Sequence, residues 1–244
     1  MPISVGPVAA RPLLSIIVPV FNEAGTLAAV LDRLRCIALP IDREIIVVND
    51  GSTDGTGDIL SGLGNVSGLT VLHADRNRGK GHAIRLGLKG AAGTIVAIQD
   101  ADLELDPAQI AMLVQPILDG EAAVVYGSRF LGGRPNAPWR TIAANRFLTT
   151  LTNILYGASI TDMETCYKVM RTDVARSLGL ESNRFDIEPE ITAKLLRRGH
   201  EIVERPVRFD PRSRAAGKKI GWRDGVEAVR TLVRIRVARK VASG

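Results

Sequence analysis

Ile95-Val96-Ala97-Ile98-Gln99-Asp100-Ala101-Asp102-Leu103-Glu104 is the stretch that decides how this chain reads. Its apolar, β-prone start predicts a buried strand. Three acids spaced two apart follow. In extended chain, positions i, i+2 and i+4 share one face. The carboxylates of Asp100, Asp102 and Glu104 are therefore expected to converge on one point. Crowded carboxylates repel one another unless a cation lies between them. Hard oxygen ligands favour Mg²⁺ or Mn²⁺, which take phosphate oxygens as further ligands. The competing reading is a solvated acidic turn, with Asp106-Pro107 capping the next helix.

Working outward, the first half alternates apolar strands with helical patterns. Strands are expected at 14–20, 45–49, 70–73, 94–99 and 122–126, and helices at 24–37, 54–60, 79–90 and 107–118. Repeated strand–helix units predict an α/β fold, with a mainly parallel central sheet flanked by helices. Such sheets bind ligands beyond the carboxyl ends of their strands. Asn22, Glu23, Asp50, Asp100, Asp102, Ser128 and Arg129 sit at those ends. Past the break at Pro135–Pro138 come a long helical stretch at 140–156, a helix near 189–198, a strand at 201–206 and an amphipathic helix at about 222–239. The expected organisation is a flexible N-terminus (1–12), one domain (13–221) and a basic amphipathic helix with its tail (222–244). The first half of the domain is nucleotide-binding and the second builds an acceptor side.

Composition narrows the field. The 244 residues are 45% hydrophobic, enough for one large domain with a full core. Cys36 and Cys166 form neither a disulfide framework nor a metal pattern, which suits a reducing cytoplasm. Residues 1–12 lack the pattern of a signal peptide. No apolar run approaches the roughly 18 residues that span a bilayer. The net charge of +6 is uneven: residues 205–240 hold 12 Lys and Arg against 3 acids. A basic tail meets anionic lipid, nucleic acid or a phosphorylated substrate, or is simply a solvated face. No nucleic-acid motif or aromatic platform accompanies it. In the terminal helix Val226, Val229, Leu232, Val233 and Val237 fall near one stripe, with Arg223, Arg230, Arg234, Arg239 and Lys240 largely off it. Such a helix lies in a bilayer interface or packs on the domain.

Three further segments carry chemistry. Val48-Asn49-Asp50-Gly51-Ser52-Thr53-Asp54-Gly55-Thr56 is a strand and a polar turn suited to a nucleoside, or an ordinary helix cap. Asn77-Arg78-Gly79-Lys80-Gly81 opens a helix with glycines and a lysine, as an anion seat does; it is neither a Walker loop nor a Rossmann fingerprint. His73, His82 and His200 show no metal spacing and no partnered serine.

Joined to Val18-Pro19-Val20-Phe21-Asn22-Glu23, these segments resemble the glycosyltransferase family 2 enzymes of the GT-A fold. Gly127-Ser128-Arg129-Phe130, Thr161-Asp162-Met163-Glu164-Thr165-Cys166-Tyr167-Lys168, and Arg212 with Gly217-Lys218-Lys219-Ile220 extend the likeness. These last look most like the dolichol- and polyprenyl-phosphate sugar transferases, including the dolichyl-phosphate mannosyltransferases. The resemblance runs from about residue 13 to 236. It implies Mg²⁺ or Mn²⁺ at Asp100, Asp102 and Glu104, the last commonly Gln in the mannosyltransferases. It implies nucleotide-sugar contacts at Pro19, Glu23, Asp50, Lys80 and Asp100. Arg129, Arg140 and Arg212 would hold an acceptor phosphate, and Asp100, Asp102 and Arg129 would carry catalysis. The implied partners are a nucleoside-diphosphate sugar and a polyprenyl phosphate, at the cytoplasmic face of a membrane. Contact there is peripheral or through a separate membrane-anchoring protein, and nucleic acid is not expected.

The chemistry is consistent with that resemblance. A departing nucleoside diphosphate gains charge, which a bridging cation stabilises. A phosphate nucleophile is largely dianionic at neutral pH and needs arginines rather than a strong base. A saccharide or small hydroxyl acceptor needs a carboxylate base, for which Asp162 and Glu164 are the candidates. A non-catalytic sugar-nucleotide or polyanion-binding module is the reading of another class; it gains nothing from Asp100 and Asp102.

Overall fold

The computed structural model describes residues 12–133, 135–211 and 221–238. Seven strands form one sheet: β1 (Leu13–Val20), β2 (Asp42–Asn49), β3 (Leu69–His73), β4 (Ile95–Ile98), β5 (Val124–Ser128), β6 (Lys168–Arg171) and β7 (Val203–Pro206). Their order across the sheet is β3-β2-β1-β4-β6-β5-β7. Four of the six pairings are parallel, so the expected mainly parallel sheet is present. The exception is β6, which runs antiparallel between β4 and β5. It was not expected: it begins at Lys168, the last residue of the Thr161–Lys168 motif, and is only four residues long. Through it, β4 and β5 point the same way, and the ends of both open on one edge.

Among the described residues eight helices accompany the sheet: α1 (Leu27–Cys36), α2 (Thr56–Gly62), α3 (Lys80–Gly90), α4 (Ile110–Leu118), α5 (Trp139–Tyr156), α6 (Thr172–Ser177), α7 (Ile187–Arg197) and α8 (Trp222–Val237). A 3₁₀ turn at Pro107–Gln109 leads into α4, with the Asp106 carboxylate accepting from the Ala108 N–H as the sequence suggested. The short α6 is the one helix the sequence reading omitted.

Central strands β1 and β4 are almost wholly apolar, as is β2 from Ile45 to Val48, and most of these residues are buried. That is the signature of strands covered on both faces. Each fully buried Ile, Val or Leu stabilises the fold by roughly 1.5–3 kcal/mol. Helix α3 lies unusually close to this layer. A Cβ on Gly87 would come within 2.5 Å of Ile17 Cγ2 and 3.3 Å of Val48 Cγ2. Glycine there lets the helix settle on β1 and β2, which fixes where its first residue, Lys80, sits.

Behind the main core a second cluster joins Leu148, Ile160, Met163, Ala193, Ala228, Leu232 and Ile235. Helix α8 is therefore packed on α5 and α7. Its expected stripe divides: Leu232 faces inward with Ala228, Thr231 and Ile235, and Val229 packs partly against the same cluster, while Val226, Val233 and Val237 are exposed. Arg239 and Lys240 lie outside the described residues.

Candidate active site

The acidic stretch does not continue the strand. β4 ends at Ile98, and Leu103 turns the chain in the left-handed region at φ 63°. The Asp102 carboxylate accepts the Glu104 N–H at 3.2 Å, tightening the turn. Gln99 holds it from below, donating to the carbonyls of Asp100 (2.9 Å) and Leu105 (3.3 Å) while accepting from the Tyr167 hydroxyl at 2.6 Å. Because the chain bends, the three carboxylates do not share an extended face. Among the described residues no group of three or more His, Cys, Asp or Glu is placed to hold a metal ion. The expectation of three convergent ligands is thus corrected. Two carboxylates at an accessible turn still fit Mg²⁺ or Mn²⁺, since Mg²⁺ takes one or two carboxylates and completes its shell with water and substrate phosphate.

Asp100 has an internal partner. Lys80 Nζ lies 2.8 Å from one Asp100 oxygen and 2.9 Å from the other, and 2.8 Å from Glu188 Oε1. Glu188 Oε2 in turn lies 2.5 Å from Lys168 Nζ. Lys168 also donates to the carbonyls of Met163 and Thr165. The result is a row of alternating charges, Lys168–Glu188–Lys80–Asp100, running outward from the core. Burial opposes charge on Lys80, but Asp100 and Glu188 outweigh it and hold its pKa well above the ordinary lysine value. Burial likewise opposes charge on Glu188, and Lys168 and Lys80 hold its carboxyl below the usual range. Glu188 carried no sequence signal: it lies between Asp186 and Glu190, just ahead of the helix expected near 189–198.

The glycine turn before α3 is not a vacant anion seat. Asp50 Oδ2 accepts the N–H groups of Arg78 (2.9 Å) and Gly79 (2.6 Å). Past Lys80, the Gly81 and His82 N–H groups go to the carbonyls of Arg184 (3.2 Å) and Asn183 (2.9 Å). The N–H groups of Gly79, Gly81 and His82 thus all have protein acceptors, which narrows the backbone anion seat expected at this terminus. The Lys80 ammonium is the charged group it presents. Asp50, buried and three-fold engaged through a further 3.3 Å contact with His82 Nδ1, holds the turn that presents it. Gly79, at φ 103°, has Asn183 O only 2.6 Å from where a Cβ would lie.

Glu23 and the turn after β2 are laced together. The Glu23 N–H donates to Thr56 Oγ1 (2.9 Å), Ala24 N–H to Asp54 Oδ2 (3.1 Å) and Asn22 N–H to Ser52 Oγ (3.0 Å). Thr26 Oγ1 bridges Glu23 Oε2 (3.0 Å) and the Ala101 carbonyl (2.7 Å), tying this corner to the acidic turn. Pro19 lies within β1, in register with Val48 on β2.

On the other side, Arg129 follows β5. Its Nε and Nη2 donate to Asp162 Oδ2 (2.7 Å) and Oδ1 (2.8 Å), and its backbone N–H also reaches Oδ2 (3.0 Å). Burial opposes the guanidinium charge, and the Asp162 hydrogen bonds and charge hold its pKa above the ordinary value. Glu204 on β7 pins the same loop, accepting from Thr161 N–H (2.8 Å) and Asp162 N–H (3.1 Å). Phe209 stacks beneath Arg129, 5.3 Å from ring centre to guanidinium. Phe209 also bridges Leu105, and the Asp210 N–H donates to the Glu104 carbonyl at 2.9 Å. The acidic turn and Arg129 therefore meet at one edge. Arg140 is exposed at the start of α5, stacked on Trp139 at 5.5 Å. Arg212 and the Gly217–Ile220 motif lie outside the described residues.

The two candidate bases differ. Asp162 is fully buried and saturated by Arg129. Glu164 Oε1 is buried with no hydrogen-bond partner among the described residues. Burial and the nearby Glu188 charge push its pKa up to about 7, against the pull of Lys168 and Arg129.

Comparison with known proteins gives this arrangement its context. The profile of Glycosyl transferase family 2 matches residues 15–179, so the chain belongs to that family. An undecaprenyl-phosphate mannosyltransferase of Micrococcus luteus is 31% identical, covering 84% of this chain and 86% of its own length. The polyprenol monophosphomannose synthase of Mycolicibacterium smegmatis is 26% identical over 84% of this chain and 80% of its own. A low-salt glycan biosynthesis hexosyltransferase, Agl6, of Haloferax volcanii is 28% identical over 87% of this chain, which spans only about half (52%) of that relative. Among solved structures, glucosyl-3-phosphoglycerate synthase of Mycobacterium tuberculosis, in complex with Mn²⁺, UDP and phosphoglyceric acid, aligns at a TM-score of 0.72 and 20% identity, covering 96% of this chain and 82% of that one. The fold is thus that of the GT-A glycosyltransferases.

Glu164 makes a testable contribution to stability. Its folded pKa, about 7, lies above the ordinary carboxyl value of 4.5. Below pH 4.5 the group is protonated in both states and costs nothing; as pH rises to about 7 the fold loses stability relative to the ionised unfolded chain. Glu164→Gln is therefore expected to raise the thermal midpoint relative to wild type at pH 8, with the gain vanishing by about pH 4.5. Thermal melts across that range, read by circular dichroism, check it; a gain independent of pH contradicts the burial argument.

Proposed function

We propose that this protein is a metal-dependent inverting glycosyltransferase that moves a sugar from a nucleoside-diphosphate sugar to a polyprenyl phosphate of dolichol type, in the manner of a dolichyl-phosphate mannosyltransferase. The observation that carries the reading is the meeting of the acidic turn and Arg129 at one sheet edge, in a chain that resembles polyprenyl-phosphate sugar transferases over most of its length. Pro19, Glu23 and Asp50 line the nucleoside side in this proposal. Lys80 approaches the diphosphate beside Asp100. Asp100 and Asp102 would hold Mg²⁺ or Mn²⁺, with Glu104 adjacent. When bound, such an ion stabilises negative charge on the departing diphosphate.

Arg129, with Arg140 and Arg212, orients the acceptor phosphate. A dianionic phosphate brings its own nucleophilic oxygen, so no proton has to be removed in the transfer. Asp162 fits a structural part here, since its two oxygens keep the Arg129 fork in plane. A hydroxyl acceptor is the second reading, and one observation favours it: Glu164, with its orphaned oxygen and a pKa of about 7, has the properties of a general base.

Polyprenyl phosphate, 3-phosphoglycerate and a free saccharide, offered together with each of several labelled nucleotide sugars, separate these readings. Label is expected in the lipid phosphate, with turnover falling by orders of magnitude in EDTA or in Asp102→Asn. Preferential labelling of either water-soluble acceptor sinks the lipid assignment, and full activity in EDTA sinks the metal.

The acceptor's lipid also bears on α8. Among the described residues no helix is long and apolar enough to cross a membrane. Trp222, Val226, Val233 and Val237 are exposed on α8, interleaved with the exposed Arg223, Arg230 and Arg234. An apolar stripe edged with arginine suits peripheral contact with an anionic bilayer surface. Replacing these four residues by Ser leaves the inward face of α8 intact and is expected to reduce co-sedimentation with anionic vesicles severalfold. Undiminished co-sedimentation of the folded variant removes α8 from the membrane contact.

A further inference from the structure

Glu188 lies beyond residue 179, where the family match ends, and in the first turn of α7. Its two carboxylate oxygens are divided between two ammonium groups, Lys168 on the inner side and Lys80 on the outer. Lys168 is itself fixed by two backbone carbonyls, so the inner oxygen of Glu188 is anchored to the sheet. Side-chain exposure rises steadily along the row: 0% for Lys168, 4% for Glu188, 12% for Lys80 and 28% for Asp100. Only the outer end meets solvent. If Asp100 turns to a cation or to the donor, Lys80 keeps one anionic partner, itself tied to Lys168. A free lysine side chain has several rotors to immobilise on binding an anion, and an anchored one has already lost that freedom.

We propose that Glu188 is a positioning residue for the donor's diphosphate: backed by Lys168, it holds the Lys80 ammonium at the acidic turn. The inference rests on the donor reading above. Glu188 touches neither sugar nor nucleoside in this scheme. Its effect therefore falls on the diphosphate increment of affinity, the difference between a nucleoside diphosphate and its nucleoside. A general loosening of the fold would weaken both ligands together.

The test uses the full chain, titrated calorimetrically with UDP, GDP, uridine and guanosine, with EDTA and with Mn²⁺. Glu188→Gln strands the buried Lys168, so it is paired with the double variant Glu188→Gln/Lys168→Met, which removes both inner charges together. Cooperative thermal unfolding is checked first. In EDTA the double variant is expected to bind the preferred nucleoside diphosphate roughly tenfold more weakly, as for loss of a charge-assisted contact, with nucleoside affinity unchanged within twofold. Equal weakening of diphosphate and nucleoside, or diphosphate affinity within twofold of wild type, overturns the positioning role. Wild-type protein that binds neither diphosphate, with or without Mn²⁺, overturns the donor reading and this inference with it. Wild-type binding that the variants leave intact overturns this inference alone.

Discussion

Four charges in a row, Lys168, Glu188, Lys80 and Asp100, are what the rest of the site depends on. They come from β6, α7, α3 and the turn after β4, so the row exists only when sheet and helices are assembled. Removing one partner from a buried pair costs several kcal/mol because it leaves a desolvated charge alone. Alternation avoids that cost at every step: each inner group has an opposite neighbour. The outermost member is the first acid of the Asp-x-Asp turn. The fold thus carries charge from a fully buried lysine to the edge where the strands end, and leaves a cationic Lys80 beside two carboxylates.

The surrounding structure serves that placement. Gly87 lets α3 approach β1 and β2, while Asp50 and the carbonyls of Asn183 and Arg184 satisfy its first donors. Glu190 holds the loop carrying those carbonyls, accepting the N–H groups of Glu181 and Ser182. Burial opposes its charge, and Lys194 with those hydrogen bonds keeps its carboxyl below the usual range. A helix terminus that looks like an anion site in sequence gives the N–H groups of Gly79, Gly81 and His82 to protein acceptors and mounts the Lys80 side chain.

Much of this was legible before the structure. Central strands read correctly because burial on both faces leaves continuous apolar runs, and Asp106-Pro107 read correctly because capping is local. What failed was non-local. β6 is four residues long and gains its identity only by pairing with β4 and β5. Leu103 adopts a left-handed backbone that nothing in a leucine announces, and that single bend undoes the convergence expected of Asp100, Asp102 and Glu104. The stripe on α8 was read only in part: Leu232 and Val229 do pack on the domain, but Ala228 and Thr231, which carry little hydrophobic signal, share that inner face. Glu188 had no motif around it; its meaning comes from two lysines that are distant in sequence.

In the proposed reading, Arg129 and its neighbours decide the chemistry. Asp162 is spent on the arginine fork, which leaves Glu164 as the loop's one carboxylate fitted to accept a proton. Either the acceptor arrives as a phosphate, and Glu164 is a buried acid tolerated by the fold, or it arrives as a hydroxyl, and Glu164 is the base. Turnover of Glu164→Gln with polyprenyl phosphate and the preferred nucleotide sugar, both saturating, separates the two directly. A kcat within a few-fold of wild type is predicted, because a phosphate dianion needs no base; a loss of two orders of magnitude or more would contradict a phosphate nucleophile.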